Sequence, residues 1–220
     1  MGKAMGQVED ALRLVLVEVS RRLYDRGLVV ATEGNVSVRL DDRRLLATPT
    51  GACKGFLATD QLVMVDLEGR RLQGEFPPSS ELPLHLAVYR VRPEVQAIVH
   101  AHPPIATGFA VAGIPLDQPI LAEAVILLGP VPVAHYGTPT TEELSKAVLK
   151  YIHGHNAILL ANHGALTVGE DLWQAYFRME TLEHVAQVNL VAHLLGKMNV
   201  LSEEDVRKLS ELFGLGSREA

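Results

Sequence analysis

Apolar residues recur along this chain with two different periods, and each period predicts one kind of element. From position 8 to position 26 they return every three or four residues and Gly27 follows, which predicts an amphipathic helix that ends at a glycine. The apolar face of this helix indicates that it packs against the rest of the protein. The same spacing predicts further helices over residues 82–89, 105–112, 141–153, 172–197 and 203–213.

Short runs rich in β-branched residues predict the strands. Two hairpins come first: one turns at Asp41 and Asp42 before residues 43–48, and the other joins residues 62–66 to residues 71–73. These hairpins predict that this part of the sheet is antiparallel. Further strands are predicted over residues 95–102, 157–161 and 165–168.

Composition narrows the class of protein. With 220 residues and 48% hydrophobic content, the chain can bury one substantial core, so we expect a single domain over residues 1–220. The net charge of −6 and the absence of a basic stripe argue against nucleic acid or an anionic membrane as a partner.

The chain also carries signs of its compartment. Cys53 is the only cysteine, so no intrachain disulfide can form and a reducing compartment is expected. Residues 1–10 lack the apolar run of a signal peptide, and Pro, Gly and charged residues interrupt the longest apolar region, residues 105–133. We therefore expect a cytoplasmic protein.

Histidines at two predicted strand ends suggest a metal site. Because side chains alternate along a strand, His100 and His102 point to the same side, and Pro103 ends the strand just after them. His163 follows the strand over residues 157–161, and three histidines are the usual protein ligands of an open catalytic zinc site. The alternative is that each imidazole is a hydrogen-bonded polar group near the core.

A second pair, His153 and His155, has a simpler explanation. It follows a predicted helix, where histidines hydrogen-bond the last carbonyls and favour the helix dipole, so we leave it out of the site.

Glu81 has both a structural and a catalytic interpretation. It opens a predicted helix, where a carboxylate complements the helix dipole, but beside a metal-bound carbonyl compound it could act as a general base. Ser79 and Ser80 could cap the same helix, or they could join backbone N–H groups in holding an anion such as phosphate.

Five motifs together resemble the class II aldolase and aldolase-epimerase family. They occur in the same order as in that family, and the resemblance covers most of the chain, from the first helix to the long helix that ends near Lys197. The motifs are TEGNVS at residues 32–37, TPTG at 48–51, PSSE at 78–81, VHAH at 99–102 and NHG at 162–164.

The resemblance implies a fold, an assembly and a set of site residues. It implies a three-layer α/β/α sandwich around a mainly antiparallel sheet, and a homotetramer with active sites at subunit interfaces. One zinc ion per subunit, or another divalent metal, would be held by His100, His102 and His163, with Glu81 as catalytic acid/base and at times a further ligand. The substrate phosphate would be held by Gly34, Asn35, Thr50, Gly51, Ser79 and Ser80, with Thr32 assisting.

The implied activity is the reversible cleavage of a phosphorylated ketose, similar to L-fuculose 1-phosphate, into dihydroxyacetone phosphate and an aldehyde through a metal-stabilised enediolate. No Schiff-base lysine is needed, and we expect Lys54, the lysine nearest these motifs, at the surface. Glu81 matches the fuculose-type aldolases, since the related epimerases carry aspartate there. The tyrosines that handle the aldehyde in those aldolases are absent, because residues 119–123 contain none and none follows Tyr176.

Two kinds of alternative function remain. Within the family, the chain could be a sugar-phosphate 4-epimerase or a methylthioribulose-1-phosphate dehydratase. Outside catalysis, it could be an interaction domain that kept the fold, although such a domain would be expected to lose the three histidines.

Overall fold

One mixed sheet runs through the protein. The computed structural model describes residues 2–214, and the side chains from Gly6 onward. Within that range the strands of the sheet are β1 (Asn35–Arg39), β2 (Arg44–Ala47), β3 (Val63–Asp66), β4 (Arg71–Gln73), β5 (Ala97–Ala101), β6 (Val133–Ala134), β7 (Ala157–Leu160) and β8 (Gly164–Gly169). Their spatial order is β4-β3-β2-β1-β5-β8-β7-β6. All described neighbours pair antiparallel except β6 and β7, which are parallel.

Seven α-helices lie before, between and after these strands in the described part of the chain. They are α1 (Gly2–Asp25), α2 (Leu82–Val91), α3 (Pro104–Ala112), α4 (Ala122–Leu127), α5 (Glu142–Leu149), α6 (Leu172–Leu194) and α7 (Glu203–Leu212). The predicted helices are confirmed, although α5 ends at Leu149 rather than near His153. The sequence left α4 unassigned, because Gly129 and Pro130 interrupt the apolar stretch in which it lies. Short 3₁₀ segments cover Lys54–Phe56 and Thr59–Gln61.

Both predicted hairpins are present. Strands β1 and β2 pair antiparallel with Ser37 opposite Ala47, and β3 pairs with β4 with Met64 opposite Gln73. The expectation of an α/β fold with a mainly antiparallel sheet is therefore confirmed.

The sheet residues divide between two hydrophobic cores, one on each face. Along β5, Ala97, Val99 and Ala101 contribute to a core shared with α1, α3 and α6, whereas Ile98 contributes to a core shared with α2 and α5. Every residue of β5 is buried, as expected of a strand with a strand on either side whose residues contribute to two hydrophobic cores.

Several strands meet at one edge of the sheet. Asn35 begins β1 opposite His100 near the end of β5, and Gly164 begins β8 opposite Leu160 at the end of β7. Antiparallel pairing therefore brings the start of one strand beside the end of its neighbour. The loops at this edge carry the motifs that the sequence singled out.

The start of α2 differs from its prediction. Its N-cap is Glu81, which makes no side-chain cap bond, so the expectation that Ser79 or Ser80 caps the helix is wrong. Ser79 instead closes a turn ahead of the helix, accepting a hydrogen bond from the Leu82 amide at its carbonyl (3.0 Å). Pro83, in the first turn, has no N–H to satisfy, which reduces the need for a side-chain cap.

None of the helices in the part of the chain that the structure describes is long and apolar enough to cross a membrane.

Gly164 provides a test of how tightly this edge is packed. A Cβ atom there would lie 2.5 Å from the Ala101 carbonyl oxygen and 2.5 Å from Cδ2 of His102. We predict that Gly164→Ala lowers the free energy of unfolding by about 1–3 kcal/mol, the usual cost of overpacking. Urea unfolding measures the change.

The matched control is Gly108→Ala within α3, where an added Cβ meets no atom within 4 Å. This change should raise the free energy of unfolding by about 0.5–1 kcal/mol, because alanine is the better helix former. Equal stability changes at the two positions would contradict the close approach at Gly164.

Candidate metal and anion site

Three histidine rings meet at this edge of the sheet. His100 lies near the end of β5, His102 is one residue past that strand, and His163 lies in the turn between β7 and β8. Their ligand nitrogens all lie within 4.8 Å of one another, and Nε2 of His100 is 3.2 Å from Nε2 of His102. The three histidines that the sequence proposed as ligands therefore lie together.

Local backbone geometry places His163 in this group. Asn162 adopts a left-handed conformation (φ 56°), which asparagine tolerates better than most residues, and the His163 amide donates to the Leu160 carbonyl at 3.0 Å. The tight turn that results carries the third ring from the end of β7 to the start of β8.

Hydrogen bonds fix the tautomers of two of the rings. The Nδ1–H of His100 donates to the Ala165 carbonyl on β8 (2.9 Å), and the Nδ1–H of His102 donates to the carboxylate of Glu33 (3.0 Å). In its neutral form each ring therefore directs the lone pair of Nε2 toward the centre of the group. A carboxylate or carbonyl behind a ligating histidine is the usual outer support of a metal site.

Glu81 closes the group from the start of α2. One carboxylate oxygen lies 3.2 Å from Nε2 of His100, and the other lies 3.3 Å from Nε2 of His163. The side-chain amide of Asn35 donates to the first of these oxygens at 3.0 Å. Burial opposes ionisation, but the hydrogen bond to His100 and the electrostatic attraction of the neighbouring histidines outweigh it and lower the pKa of Glu81 to about 2.

This arrangement suits a metal cation. Nε2 of His100 lies 3.2 Å both from Nε2 of His102 and from one Glu81 oxygen, and Nε2 of His163 lies 3.3 Å from the other Glu81 oxygen. The lone pairs on these atoms repel one another unless a proton or another cation lies among them. Burial and the neighbouring His100 lower the pKa of His163 to about 4, and the same causes lower the pKa of His102. His102 and His163 therefore favour the neutral form, which is the form that binds a metal.

A buried polar network lies behind Glu81, and the sequence did not reveal it. His85, one helical turn after Glu81, is bonded to the hydroxyl of Ser37 through Nδ1 at 2.7 Å, and that hydroxyl lies 2.9 Å from the Tyr89 hydroxyl. Burial lowers the pKa of His85 to about 3, so this ring also stays neutral. The network anchors the first turns of α2 to β1.

The loops expected to hold a phosphate group lie side by side. The Ser79 amide donates to the Thr48 carbonyl (3.3 Å), and the Thr50 amide donates to the Pro77 carbonyl (3.0 Å). These bonds join the loop over residues 48–51 to the loop over residues 77–80. Of the residues expected there, Thr32, Thr50, Gly51 and Ser80 are exposed, Gly34 and Ser79 are half-buried, and Asn35 is buried.

Gly34 is required by the close approach of its loop to β5. It has a φ of +69°, and an added Cβ would lie 2.7 Å from the His100 carbonyl oxygen. A side chain at this position would push the loop away from the strand that carries the histidines.

Lys54 corrects the expectation that this lysine lies at the surface. It is only 2% exposed, and its ammonium donates to the backbone carbonyls of Thr32 (3.0 Å) and Ala52 (2.9 Å). No local sequence pattern marks a lysine whose side chain folds inward.

His153 and His155, the second pair of histidines in the sequence, lie away from this site. His155 donates from Nδ1 to the Pro130 carbonyl (2.9 Å), and His153 is exposed in the turn that follows α5. Neither belongs to the histidine cluster found among residues 2–214. Glu123 is exposed in the first turn of α4.

Comparisons with known proteins agree with this geometry. The family described as "Class II Aldolase and Adducin N-terminal domain" matches residues 15–190. A 3-oxo-tetronate 4-phosphate decarboxylase of Pectobacterium atrosepticum is 36% identical over 208 residues, which cover 92% of this chain and 94% of that protein. An L-fuculose phosphate aldolase of Methanococcus maripaludis is 36% identical over 179 residues, or 81% of this chain and 96% of that protein.

Solved structures show the same relationship. An L-fuculose 1-phosphate aldolase superposes with a TM-score of 0.87 at 31% sequence identity, over 93% of this chain and 97% of that one. The family match includes β1, β5, β7 and β8, and with them all three histidines and Glu81. This chain therefore belongs to the class II aldolase and adducin N-terminal domain family and is one of its enzymes.

Proposed function

We propose that this protein is a zinc-dependent carbon–carbon lyase that releases dihydroxyacetone phosphate from a phosphorylated keto compound. The first candidate substrate is a ketose similar to L-fuculose 1-phosphate, which would also release an aldehyde. The observation that carries this proposal is the convergence of three imidazoles and Glu81 beside two loops suited to a phosphate group.

The donor set supports zinc as the metal, one ion per subunit. His100, His102 and His163 would hold it, with Glu81 as a further ligand in the resting site, and another divalent metal could bind the same donors. When bound, the ion supplies a Lewis acid for the carbonyl and hydroxyl oxygens of the substrate.

Glu81 would move the proton. In the synthetic direction its carboxylate takes a proton from the hydroxymethyl carbon of dihydroxyacetone phosphate, and in cleavage it returns a proton to that carbon. The amide of Asn35 holds one oxygen of this carboxylate at 3.0 Å and so orients it. Gly34, Asn35, Thr50, Gly51, Ser79 and Ser80, with Thr32, would bind the phosphate group of the substrate through the loops described above.

Decarboxylation is a second candidate reaction, and the tyrosine pattern favours it. A 3-oxo-tetronate 4-phosphate carries its carboxylate on the carbon beside the keto group. Loss of CO₂ leaves the bonding electron pair on that carbon, and a proton added there gives dihydroxyacetone phosphate. Aldol cleavage must also remove a proton from the hydroxyl of the fragment that leaves as the aldehyde. The tyrosines expected to handle that fragment are absent, because residues 119–123 contain no tyrosine and none follows Tyr176. Decarboxylation does not need that second base.

The proposal also covers the layers of the fold, the domain, the compartment and the assembly of this protein. The two cores on opposite faces of the sheet support a three-layer α/β/α arrangement within a single domain over residues 1–220. We also propose a cytoplasmic homotetramer. A 4-epimerase or a methylthioribulose-1-phosphate dehydratase would use the same metal ligands, whereas a non-catalytic interaction domain would not require them.

The deciding experiment is product analysis with zinc-loaded protein. We expect L-fuculose 1-phosphate or 3-oxo-tetronate 4-phosphate to yield dihydroxyacetone phosphate, measured by its enzymatic reduction to glycerol 3-phosphate. An aldehyde as the second product identifies the aldolase, and CO₂ identifies the decarboxylase. A chelator-treated sample should be inactive. An epimerised sugar or a dehydrated ketone without dihydroxyacetone phosphate would reject both reactions.

Replacement of Glu81 tests its role in proton transfer. Glu81→Gln should lower kcat about 100-fold or more, the usual scale for loss of a general base. Zinc content and the free energy of unfolding should change little, because three histidines remain as ligands. Glu170→Gln, at an exposed position just after β8, is the matched control and should keep full activity. A near-normal rate in Glu81→Gln would leave Glu81 with a structural role only.

Glu33 provides a test of the support behind His102. Because its carboxylate accepts from Nδ1 of that ring, Glu33→Ala should weaken zinc binding about 10- to 100-fold in a chelator competition assay. Glu33→Gln keeps an acceptor and should lose less affinity. As a reference for a lost ligand, His163→Ala should hold less than one zinc per chain and show no turnover. Unchanged zinc affinity in Glu33→Ala would mean that the bond to His102 does not support the metal.

A further inference from the structure

Lys54 is a buried cation in a protein whose other charged side chains lie nearer the solvent. Among the Asp, Glu, Lys and Arg residues that the structure describes, Lys54 alone is buried, with 2% exposure. It begins a short 3₁₀ segment that follows the loop carrying Thr50 and Gly51. The chemistry outlined above gives this residue no role.

The charge of Lys54 has no carboxylate partner. Its ammonium donates to two neutral carbonyl oxygens, those of Thr32 and Ala52, and no carboxylate oxygen in the described part of the chain lies within 4.0 Å of it. Burial lowers the pKa of Lys54 to about 8, while the charges of Cys53 and Glu81 act in the opposite direction. The side chain is therefore mainly protonated at neutral pH, and a buried cation without a counter-charge is costly.

Both carbonyls belong to loops of the proposed phosphate site. Thr32 lies in the loop that carries Gly34 and leads into Asn35, and Ala52 directly follows Gly51. The ammonium therefore bridges the two loops from their buried side. The charge of Glu81 raises the pKa of Lys54, but the carboxylate forms no ion pair with the ammonium, since its oxygens face His100, His163 and the Asn35 amide.

We propose that Lys54 is a positioning residue for phosphate binding: it fixes the spacing of the two loops and supplies the buried positive charge that the phosphate of the substrate neutralises. The inference rests on the proposed function, which places a phosphomonoester at these loops. The residue acts through the backbone of both loops and through its electric field, which is strong in a poorly hydrated interior.

The test compares phosphate binding in Lys54→Met and wild type, both zinc-loaded. Methionine keeps most of the buried volume and removes the charge and the donors. By calorimetry, affinity for dihydroxyacetone phosphate and for inorganic phosphate should fall about ten-fold or more, as expected for loss of a charge-assisted contact. Zinc content and affinity for unphosphorylated dihydroxyacetone should not change, and the loss in turnover should appear in KM rather than in kcat.

Two further variants complete the comparison. Lys146→Met removes an equal charge from an exposed position (73% of its side chain) and should leave phosphate affinity unchanged. Lys54→Gln keeps N–H donors without the charge, and it replaces Lys54→Met if that variant does not fold. In the wild type, inorganic phosphate should raise Tm, because a ligand that binds the native state stabilises it. Absence of that rise would overturn the proposal without any variant.

The remaining outcomes separate this inference from the proposed function. A folded Lys54 variant with lower stability but unchanged phosphate affinity would show a purely structural lysine and overturn the inference, even if the wild type releases dihydroxyacetone phosphate. Loss of phosphate affinity in the variant would support the inference even if the wild type shows no lyase activity, because binding is measured without turnover.

Discussion

The mutual approach of electron-pair donors at one edge of the sheet is the constraint on which this structure depends. Nε2 of His100, Nε2 of His102 and the Glu81 carboxylate lie close enough to repel one another unless a cation is among them. Such a group persists only if the surrounding structure holds it in place. Strand pairing provides this, because β8 presents the Ala165 carbonyl that fixes the ring of His100, and β1 begins with Asn35 directly opposite that residue.

Two charged side chains of opposite sign lie on opposite sides of the segment next to this centre. Glu33 supports the metal ligands from the solvent side, while Lys54 lies on the buried side of the loops that face a substrate. Residues 32–35 form one short segment with three contacts: Glu33 contacts His102, the Thr32 carbonyl contacts the ammonium of Lys54, and Gly34 packs against β5. Gly34 allows these contacts because a residue without a side chain lets the backbone of this segment pack directly against β5.

Periodicity and local chemistry were enough to predict much of the fold and the centre of the site. The alternation of a strand placed His100 and His102 on one side, and their convergence follows from that rule together with Pro103, which ends the strand. The helices and hairpins likewise follow from apolar spacing. These features depend on residues that are near one another in the chain, which is the range over which sequence patterns are informative.

What could not be predicted depends on contacts between distant segments. The bond from Glu33 to His102 requires a loop in which Ala31 adopts a left-handed conformation (φ 49°), and no alanine signals that geometry in advance. The burial of Lys54 is decided by carbonyls of two separate turns, and its neighbours in sequence are small residues that fit a surface loop equally well. Ser79 and Ser80 were candidates for the N-cap of α2, but the N-cap is Glu81, and the choice among these neighbours depends on the backbone of the whole first turn.

The ligands come from three segments that are far apart in the chain, at the start of α2, at the end of β5 and in the turn after β7. An unfolded chain therefore cannot assemble this donor set, and a metal ion distinguishes the folded state from nearly all others. A metal bound by these residues would therefore link metal supply to conformational stability: each tenfold increase in free metal above its dissociation constant would add about 1.4 kcal/mol to the stability of the native state. The stability of the fold would then depend on metal concentration separately from any effect of the metal on the chemical step.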